Sequence, residues 1–540
     1  MNQLLAIQNL EKHFDKDLIL NLDLKTIGDN KDFLSQVYEN ILNKEKRKEY
    51  AQFFTHKELV KFIISHLPIN NKTKILDPAC GVGAFLIEAY DKNNKNLDNI
   101  YGLDIDNKAL DLCKLNLKLS TGSYNEKNFR RANTLKGANL KELFPEVYNY
   151  GGFDLIIGNP PFQNLNKDID YIEGESLYGE VLSGLANSAT LMIAKGYEFL
   201  KENGYLAFVL PKNIIRVESF KKLRDFLIKN TKLICIYDLD HYFKDVRGDQ
   251  IILIFQKTRL NVENLNKNYV KIMIYKKGNI LSEPYNYEIP QSDFLKYDFF
   301  PILNDKNLFK LADRLLAIRP TLSDVCSGQI FRGLSINPKQ LQKDLKEKED
   351  FIFYKGDSIT RFGTKYGLYL NYKNLDKNQL NKIKKLQVNK LILQNICSKE
   401  GGIFATISNS KELNLDTVTN IIPTNLDHKY LLGMLNSKLS NFFIISVVFL
   451  NSNFTMHTDK KYIGNIPIVI PKKEDEQKVI NIVNNLLNIE NKYSKEAFSQ
   501  YNELNKAIFD IYNISDEESE LINNFLNEVM SKKQNGRTYE

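Results

Sequence analysis

The sequence predicts an α/β protein: a doubly wound, mainly parallel sheet with one antiparallel strand near its end, followed by a mixed α+β domain. Three observations carry this. Short β-branched runs alternate with helical patterns from about residue 74 to 257, as expected of helices covering both faces of a parallel sheet. The last two runs, Leu233–Leu239 and Gln250–Gln256, are joined by a short link containing Gly248, which suits a hairpin and hence an antiparallel strand. Beyond Lys257 the alternation fades, and 540 residues exceed one ordinary core, so a second domain is expected.

In chain order, apolar Phe33, Leu34, Val37, Ile41 and Leu42 recur at helical spacing between Asp32 and Tyr50. A second helix is expected after Thr55, where Thr55 and Glu58 read as a capping box ahead of Leu59, Val60, Phe62, Ile63 and Ile64. Strands follow at Lys74–Leu76, Ile100–Asp104, Phe153–Ile157 and Tyr205–Leu210, before the hairpin. Between them lie helical patterns at Ala84–Lys92, Lys108–Leu119, Val181–Glu202 and Phe220–Lys229. Further on, Phe351–Tyr354 and Leu391–Ile396 read as strands, and Lys429–Leu439 and Glu476–Ile489 as helices. The expected division is an extension over 1–30, a first domain over 31–260, a linker over 261–300 and a second domain over 301–540.

Composition narrows the class. A hydrophobic fraction of 43% and a charged fraction of 26% are those of a globular protein. Met1–Leu10 lacks the basic start and apolar stretch of a signal peptide. The longest apolar run, Phe442–Leu450, falls far short of the roughly 20 residues of a membrane helix, so a cytoplasmic protein without a membrane span is expected. The five cysteines and six histidines are scattered and form no CxxC pair; neither a disulfide framework nor a metal site is expected. The net charge is +8, and residues 351–470 alone hold 15 Lys/Arg against 7 Asp/Glu. One basic region on a balanced body points to a polyanion-binding face in the second half.

The densest chemistry lies in Ile75-Leu76-Asp77-Pro78-Ala79-Cys80-Gly81-Val82-Gly83-Ala84-Phe85, a strand running through a glycine-rich turn into a helix. Glycines there let a backbone approach a ligand closely. The next strand ends in Gly102-Leu103-Asp104-Ile105-Asp106, and an acid at that strand end can accept both hydroxyls of a ribose, as in Rossmann-like nucleoside sites. The spacing GxGxxG is missing, which argues against a dinucleotide. Asp77 at the strand tip would repel a pyrophosphate but can face a cationic amino-acid moiety, which favours S-adenosylmethionine over NAD.

A second segment, Gly158-Asn159-Pro160-Pro161-Phe162, directly follows the strand Phe153–Ile157. Ligands of open α/β sheets bind beyond such strand ends. Two prolines fix a rigid turn that displays the Asn159 side-chain oxygen and the Pro160 carbonyl as acceptors, with the Phe162 ring beside them.

These two segments in this order resemble the gamma-class amino-methyltransferases of restriction–modification systems, of which the TaqI adenine methyltransferase is the structural type. The resemblance is firm over about 30–260 and looser over 300–540. It implies a Rossmann-like methyltransferase sheet, S-adenosylmethionine as methyl donor, and a carboxyl-terminal domain that recognises double-stranded DNA. Gln52, Phe53, Phe54 and Thr55 resemble the family's amino-terminal cofactor motif, although His56 stands where proline is common. Asp77, Ala79, Gly81 and Gly83 would hold the methionine portion, Asp104 and Ile105 the ribose and adenine. Asn133 replaces the family's usual Asp beside the cofactor adenine, and its oxygen can still accept that bond. Asn159, Pro160 and Phe162 would be catalytic, with Phe162 and Phe243 stacking on a flipped target base and Tyr242 as the fallback for Phe243. In the second domain Arg361, Lys365, Lys382, Lys384, Lys385 and Lys390 are candidates for phosphate contacts, and Arg332 and Arg361 for reading guanine.

Adenine N6 is a poor nucleophile because its lone pair is delocalised into the ring. Two acceptors bonding both amino hydrogens favour a pyramidal nitrogen, a stabilisation that grows toward the transition state. A duplex base must be flipped out to reach such a turn. The alternatives are an amino-methyltransferase acting on RNA or on a protein glutamine, and a non-catalytic DNA-binding relative. A fused nuclease is not expected, and a separately encoded restriction endonuclease and a monomeric state are.

Overall fold

The computed structural model describes residues 55–165, 176–183, 187–240, 242, 248–275, 279–297, 299–303, 305–337, 341, 351–370, 375–453 and 455–531. The helix expected over 32–50 lies outside them. The chain divides into two compact units, Met1–Phe300 and Pro301–Glu540.

The first unit is built on one sheet. After helix α1 (Lys57–Ser65) come β1 (Ile75–Asp77), α2 (Ala84–Lys92), β2 (Ile100–Asp104), α3 (Asn107–Thr121), β3 (Phe129–Arg131) and β4 (Phe153–Gly158). They are followed by α4 (Ser176–Val181), α5 (Ser188–Phe199), β5 (Leu200–Pro211), α6 (Lys221–Asn230), β6 (Lys232–Asp238) and β7 (Gln250–Gln256). Helix α7 (Val262–Lys267) and strands β8 (Tyr269–Ile274) and β9 (Tyr285–Pro290) complete the unit. The nine strands run in the order β3-β2-β1-β4-β5-β7-β6-β8-β9. Strand β7 lies antiparallel between β5 and β6, so the hairpin read from the sequence forms, and its second strand inserts between β5 and its own partner.

Central strands read as continuous apolar runs because both faces are covered. Leu155, Ile157, Ala207 and Val209 pack with Leu59, Ile63, Phe85, Leu86 and Cys113 from α1, α2 and α3. On the opposite face Gly196 of α5 lies against Leu206, Ile156 and Phe208. Burying each such aliphatic side chain contributes about 1.5–3 kcal/mol.

Two elements depart from the sequence reading. Helix α1 starts at Lys57 with His56 as its N-cap and no side-chain bond, one residue past the position the capping box requires, and Thr55 Oγ1 accepts from Asn159 instead. Residues 261–300, expected as a linker, instead add α7 and the β8–β9 hairpin to the first unit's sheet.

The second unit has a four-stranded sheet formed by β10 (Ile330–Arg332), β13 (Lys390–Gln394), β14 (Ala405–Ser408) and β16 (Val418–Ile421), in the order β10-β16-β13-β14. A three-stranded sheet holds β11 (Phe351–Tyr354), β12 (Leu368–Leu370) and β15 (Glu412–Asn414). Helices include α8 (Lys306–Leu316), α9 (Lys377–Leu386), α10 (His428–Asn436), α11 (Lys473–Asn488), α12 (Lys495–Ile511) and α13 (Asp516–Val529). Among the described residues no single helix is long and apolar enough to cross a membrane. One bent pair, His428–Asn436 with Lys438–Val448, meets that test only jointly, and its apolar residues from Leu431 to Ile445 are buried in this unit.

Candidate active site

The strand order reverses between β1 and β4: β2 and β3 lie to one side, β5 onward to the other. The two neighbours run parallel, with Leu76 beside Ile156. Their helical connections diverge at this point and leave a crevice beyond the strand ends. Asp77 ends β1 and Gly158 ends β4, so both motifs singled out in the sequence open on this one crevice.

The glycine-rich turn is held from several sides. Cys80 N–H donates to Leu103 O at 2.8 Å and Gly83 N–H to Cys80 O at 2.8 Å. The Thr134 hydroxyl donates to Pro78 O at 2.6 Å, and Asn116 Nδ2 to Val82 O at 3.0 Å. Gly83 has φ +89°, and a Cβ there would lie 2.7 Å from Cys113 Sγ. Only glycine meets both demands, positive φ and close approach to α3.

Asp104 ties the two strand ends together. Its Oδ2 accepts from Gly81 N–H at 2.8 Å and its Oδ1 from Asp106 N–H at 2.8 Å. Ile105 beside it is 50% exposed, an apolar surface next to an acceptor pair. Ala132 N–H donates to Asp104 O at 3.0 Å, which brings Asn133 to the same rim. The Asn133 oxygen already accepts from Leu135 N–H at 3.1 Å.

The electrostatics of the crevice suit a cationic guest. Burial pushes the Asp77 carboxyl up to about 8, with the Ala79 N–H partly offsetting and the Asp104 charge adding to the rise. Burial also raises Asp104, to about 6, against the N–H donors of Asp106 and Gly81. A buried acid poised this way gains most from a positively charged partner. The sulfonium and ammonium of S-adenosylmethionine match that requirement, and a ribose matches Asp104.

At the end of β4, Gly158 touches Asp77: a Cβ there would stand 2.7 Å from Asp77 Oδ1. Asn159 Nδ2 donates to Thr55 Oγ1 at 3.1 Å, which fixes the amide plane and directs Oδ1 to its other side. Pro160 is buried, and Phe162 is half-buried.

The turn is latched by residues the sequence reading missed. The Ser188 hydroxyl donates to Pro161 O at 2.6 Å and accepts from Gln163 N–H at 2.8 Å. A second missed feature is the buried ion pair of Lys212 with Asp238, 2.6 Å apart. It sits where β5 and β6 end, at the root of the connection that carries Tyr242. That ring is half-buried and meets His56 edge-on at 5.8 Å, next to Thr55. Phe54 and Phe243 lie outside the described residues.

The candidates in the second unit divide sharply. Arg361, expected on DNA, is 4% exposed and stacks over Tyr501 at 3.9 Å and Phe404 at 4.6 Å. Lys390 is fully buried, its Nζ donating to the carbonyls of Val388, Asn409 and Glu412. Both serve the interior: the guanidinium stacks on two rings, and the ammonium caps three carbonyls. Lys365, Lys384 and Lys385 are exposed. Lys382 and Lys385 lie over the Phe331 ring at 4.9 and 4.0 Å. Arg332 is exposed and bonds Asp459 through Nε at 2.6 Å and Nη2 at 2.7 Å. No group of three or more His, Cys, Asp or Glu that could hold a metal occurs among the described residues.

Residues 29–288 match the N-6 DNA Methylase family and residues 352–468 the TaqI-like C-terminal specificity domain. The Type II methyltransferase M.VspI of Vibrio sp. (strain 343) is 26% identical over 254 residues, 45% of this chain and 59% of its own length. The putative type II restriction enzyme and methyltransferase RM.MjaORFECS2P of Methanocaldococcus jannaschii is 27% identical over 72% of this chain and 33% of its own. For M.HincII of Haemophilus influenzae the figures are 25% identity, 62% and 64%. The chain thus spans about a third to just under two thirds of these curated relatives. Among solved structures, the Type IIL restriction-modification enzyme MmeI in complex with DNA shares the fold, with TM-score 0.62 and 15% identity over 93% of this chain and 81% of that one.

Proposed function

We propose that this chain, which matches the N-6 DNA Methylase family over 29–288 and the TaqI-like C-terminal specificity domain over 352–468, belongs to that family and methylates N6 of an adenine flipped out of duplex DNA. The observation that carries the reading is the contact between Gly158 and Asp77. It sets the Asn-Pro-Pro-Phe turn directly against the buried acid of the cofactor turn, so that acceptors for an amino group adjoin a site for a cationic methyl donor. S-adenosylmethionine, when bound, supplies an electrophilic methyl group on a sulfonium.

This chain's residues then do the remainder. Asp77 in its ionised form, with the Ala79 N–H beside it, faces the donor's positive charge, and Asp104 accepts from the ribose hydroxyls. Thr55 holds the Asn159 amide, and Ser188 holds the turn. Asn159 Oδ1 and the Pro160 carbonyl accept the two N6 hydrogens of adenine. They stabilise the pyramidal nitrogen, an effect larger in the transition state than before it. Holding the nitrogen in line with the methyl supplies much of the rest. Phe162 offers one stacking face, and Phe243, or Tyr242 in its place, the other; stacking returns roughly 1–3 kcal/mol of what unstacking costs. No strong general base is needed, since the methylated ammonium-like nitrogen is itself acidic.

Duplex DNA is the substrate this reading takes, with Lys365, Lys382, Lys384 and Lys385 meeting phosphates and the second unit reading bases. A cytoplasmic monomer acting in a restriction–modification system, beside a separately encoded endonuclease, completes the proposal. The test is nucleoside mass spectrometry after incubation with isotopically labelled donor and, in parallel, unmethylated DNA and ribosomal RNA. Labelled N6-methyldeoxyadenosine is expected. Label in RNA or in the protein alone moves the activity to another amino group.

A further inference from the structure

The second unit buries a group of polar side chains beneath the exposed Arg332–Asp459 ion pair. Asn395, Asn414, Thr419, Asn420 and Thr458 are all fully buried. Asn414 and Asn420 bond each other reciprocally through their amides at 2.7 and 2.9 Å, and Asn420 also donates to Phe331 O at 3.2 Å. Asn395 Nδ2 donates to Thr419 Oγ1 at 2.9 Å and to Asp459 Oδ1 at 3.1 Å. The Thr458 and Thr419 hydroxyls are 2.9 Å apart, and His457 Nδ1 lies 3.3 Å from Asn395 Oδ1.

A satisfied network of this kind stabilises little over an apolar core, but it fixes geometry. Its surface end is the Arg332–Asp459 pair, with side chains 46% and 26% exposed. Thr458 and Thr419 reach Asp459 through Asn395, and the Asn414–Asn420 pair separately holds the Phe331 carbonyl next to Arg332.

We propose that Arg332 reads a guanine in the recognition sequence, with Asp459 as its positioning residue. Arginine has five N–H donors. Asp459 takes Nε–H and one Nη2 hydrogen, which leaves the end-on edge formed by Nη1 and the second Nη2 hydrogen. That edge matches O6 and N7 of guanine in the major groove. The carboxylate also favours a base over the backbone: it repels the full charge of a phosphate oxygen arriving at the same guanidinium more strongly than the partial charges of a neutral base edge. Lysines over 382–385 carry no such acid and fit the phosphate role. Asn395 and Thr419 act through Asp459, holding its carboxylate in the guanidinium plane.

This inference rests on the proposed DNA methylation and is tested so that the two fail separately. The full chain, Arg332→Ala, Arg332→Lys and Asp459→Asn are each expressed in a methylation-deficient host, and the host DNA is sequenced by a single-molecule method that detects modified bases. A wild-type motif with a required G·C pair is expected. Both Arg332 variants should relax that one position, by roughly 5- to 150-fold in discrimination, and Asp459→Asn should relax the same position less. Arg332→Lys separates the roles, since a phosphate contact survives the retained charge whereas an end-on fork does not. A wild-type motif without a required G·C pair overturns the inference. So does a motif unchanged in Arg332→Lys, or an Arg332→Ala motif that stays strict while occupancy falls evenly. If the wild type modifies no adenine, the methylation reading fails and this inference falls with it.

Discussion

The amide of Asn159 donates to the hydroxyl of Thr55 at 3.1 Å, across 104 residues of sequence. Which way the Asn159 side-chain oxygen points is thus set by a residue just ahead of the first described helix. Thr55→Val keeps the shape and removes the acceptor, so the amide can rotate. Methyl transfer should slow by about tenfold, in line with one net hydrogen bond of roughly 0.5–1.5 kcal/mol. Donor affinity should change little, and Thr55→Ser should restore the rate. Single-turnover methyl transfer with calorimetric donor binding separates the two effects.

Gly158 gives a second prediction. Its φ is +154° and an added Cβ would collide with Asp77 Oδ1. Gly158→Ala must move either the Asn-Pro-Pro turn or the buried acid. A loss of about 1–3 kcal/mol of stability is expected, together with weakened donor binding. Thermal denaturation with and without S-adenosylmethionine checks both, because the donor should raise the midpoint of the variant less than that of wild type.

Asp77 should make donor binding pH-dependent. Its folded carboxyl, raised to about 8 by burial, holds a proton over the range where the unfolded group, near 3.9, has lost it. The native state therefore binds more protons between about pH 4 and pH 8, and stability of the donor-free protein declines as pH rises through that window. A cationic donor prefers the ionised form, so its affinity should climb from pH 6 to about 8 and then level. Calorimetry in buffers of different ionisation heat should show proton release on binding at pH 7. In Asp77→Asn the decline in stability between about pH 6 and pH 8, the pH dependence of binding over that range and the proton release at pH 7 should vanish, along with most of the affinity; the decline below about pH 6 that Asp104 contributes should remain.

The lysines of the second unit separate into two classes. Lys390 is buried against three carbonyls, and Lys390→Met should alter stability while leaving the salt dependence of DNA binding unchanged. Lys384 and Lys385 are exposed. Replacing both with Ala should reduce the slope of log affinity against log salt by about 0.9 for each phosphate that is no longer neutralised. Fluorescence anisotropy across a salt series measures this.

What the sequence disclosed follows from how local each feature is. The glycine-rich turn was legible because Asp77, Gly81, Gly83 and Asp104 lie within one βαβ unit. Asn159, Pro160 and Phe162 were legible as a contiguous turn. The Thr55–Asn159 bond and the Ser188 latch were not, since each joins residues that meet only when β4 is inserted beside β1 and α5 is packed. Strands β3 and β9 escaped notice because they are edge strands, one of three residues reading Phe-Arg-Arg and the other rich in Tyr, Asn and Glu. Edge positions need little apolar character. Arg361 and Lys390 were misassigned because a charge count along the chain does not tell which side of a strand or turn a cation occupies. Tyr501, Phe404 and the carbonyl of Glu412 decide that in three dimensions.

The most direct test of the central claim is methyl transfer from labelled S-adenosylmethionine to unmethylated plasmid DNA by wild type and Asn159→Ala, with donor affinity measured on the same preparations. On the proposed mechanism, wild type yields N6-methyladenine. Asn159→Ala loses about 10²–10³ in rate, the scale of removing one transition-state hydrogen-bonding group, with donor affinity retained. Transfer by Asn159→Ala at the wild-type rate, or a wild type that binds donor and modifies no adenine, would contradict it.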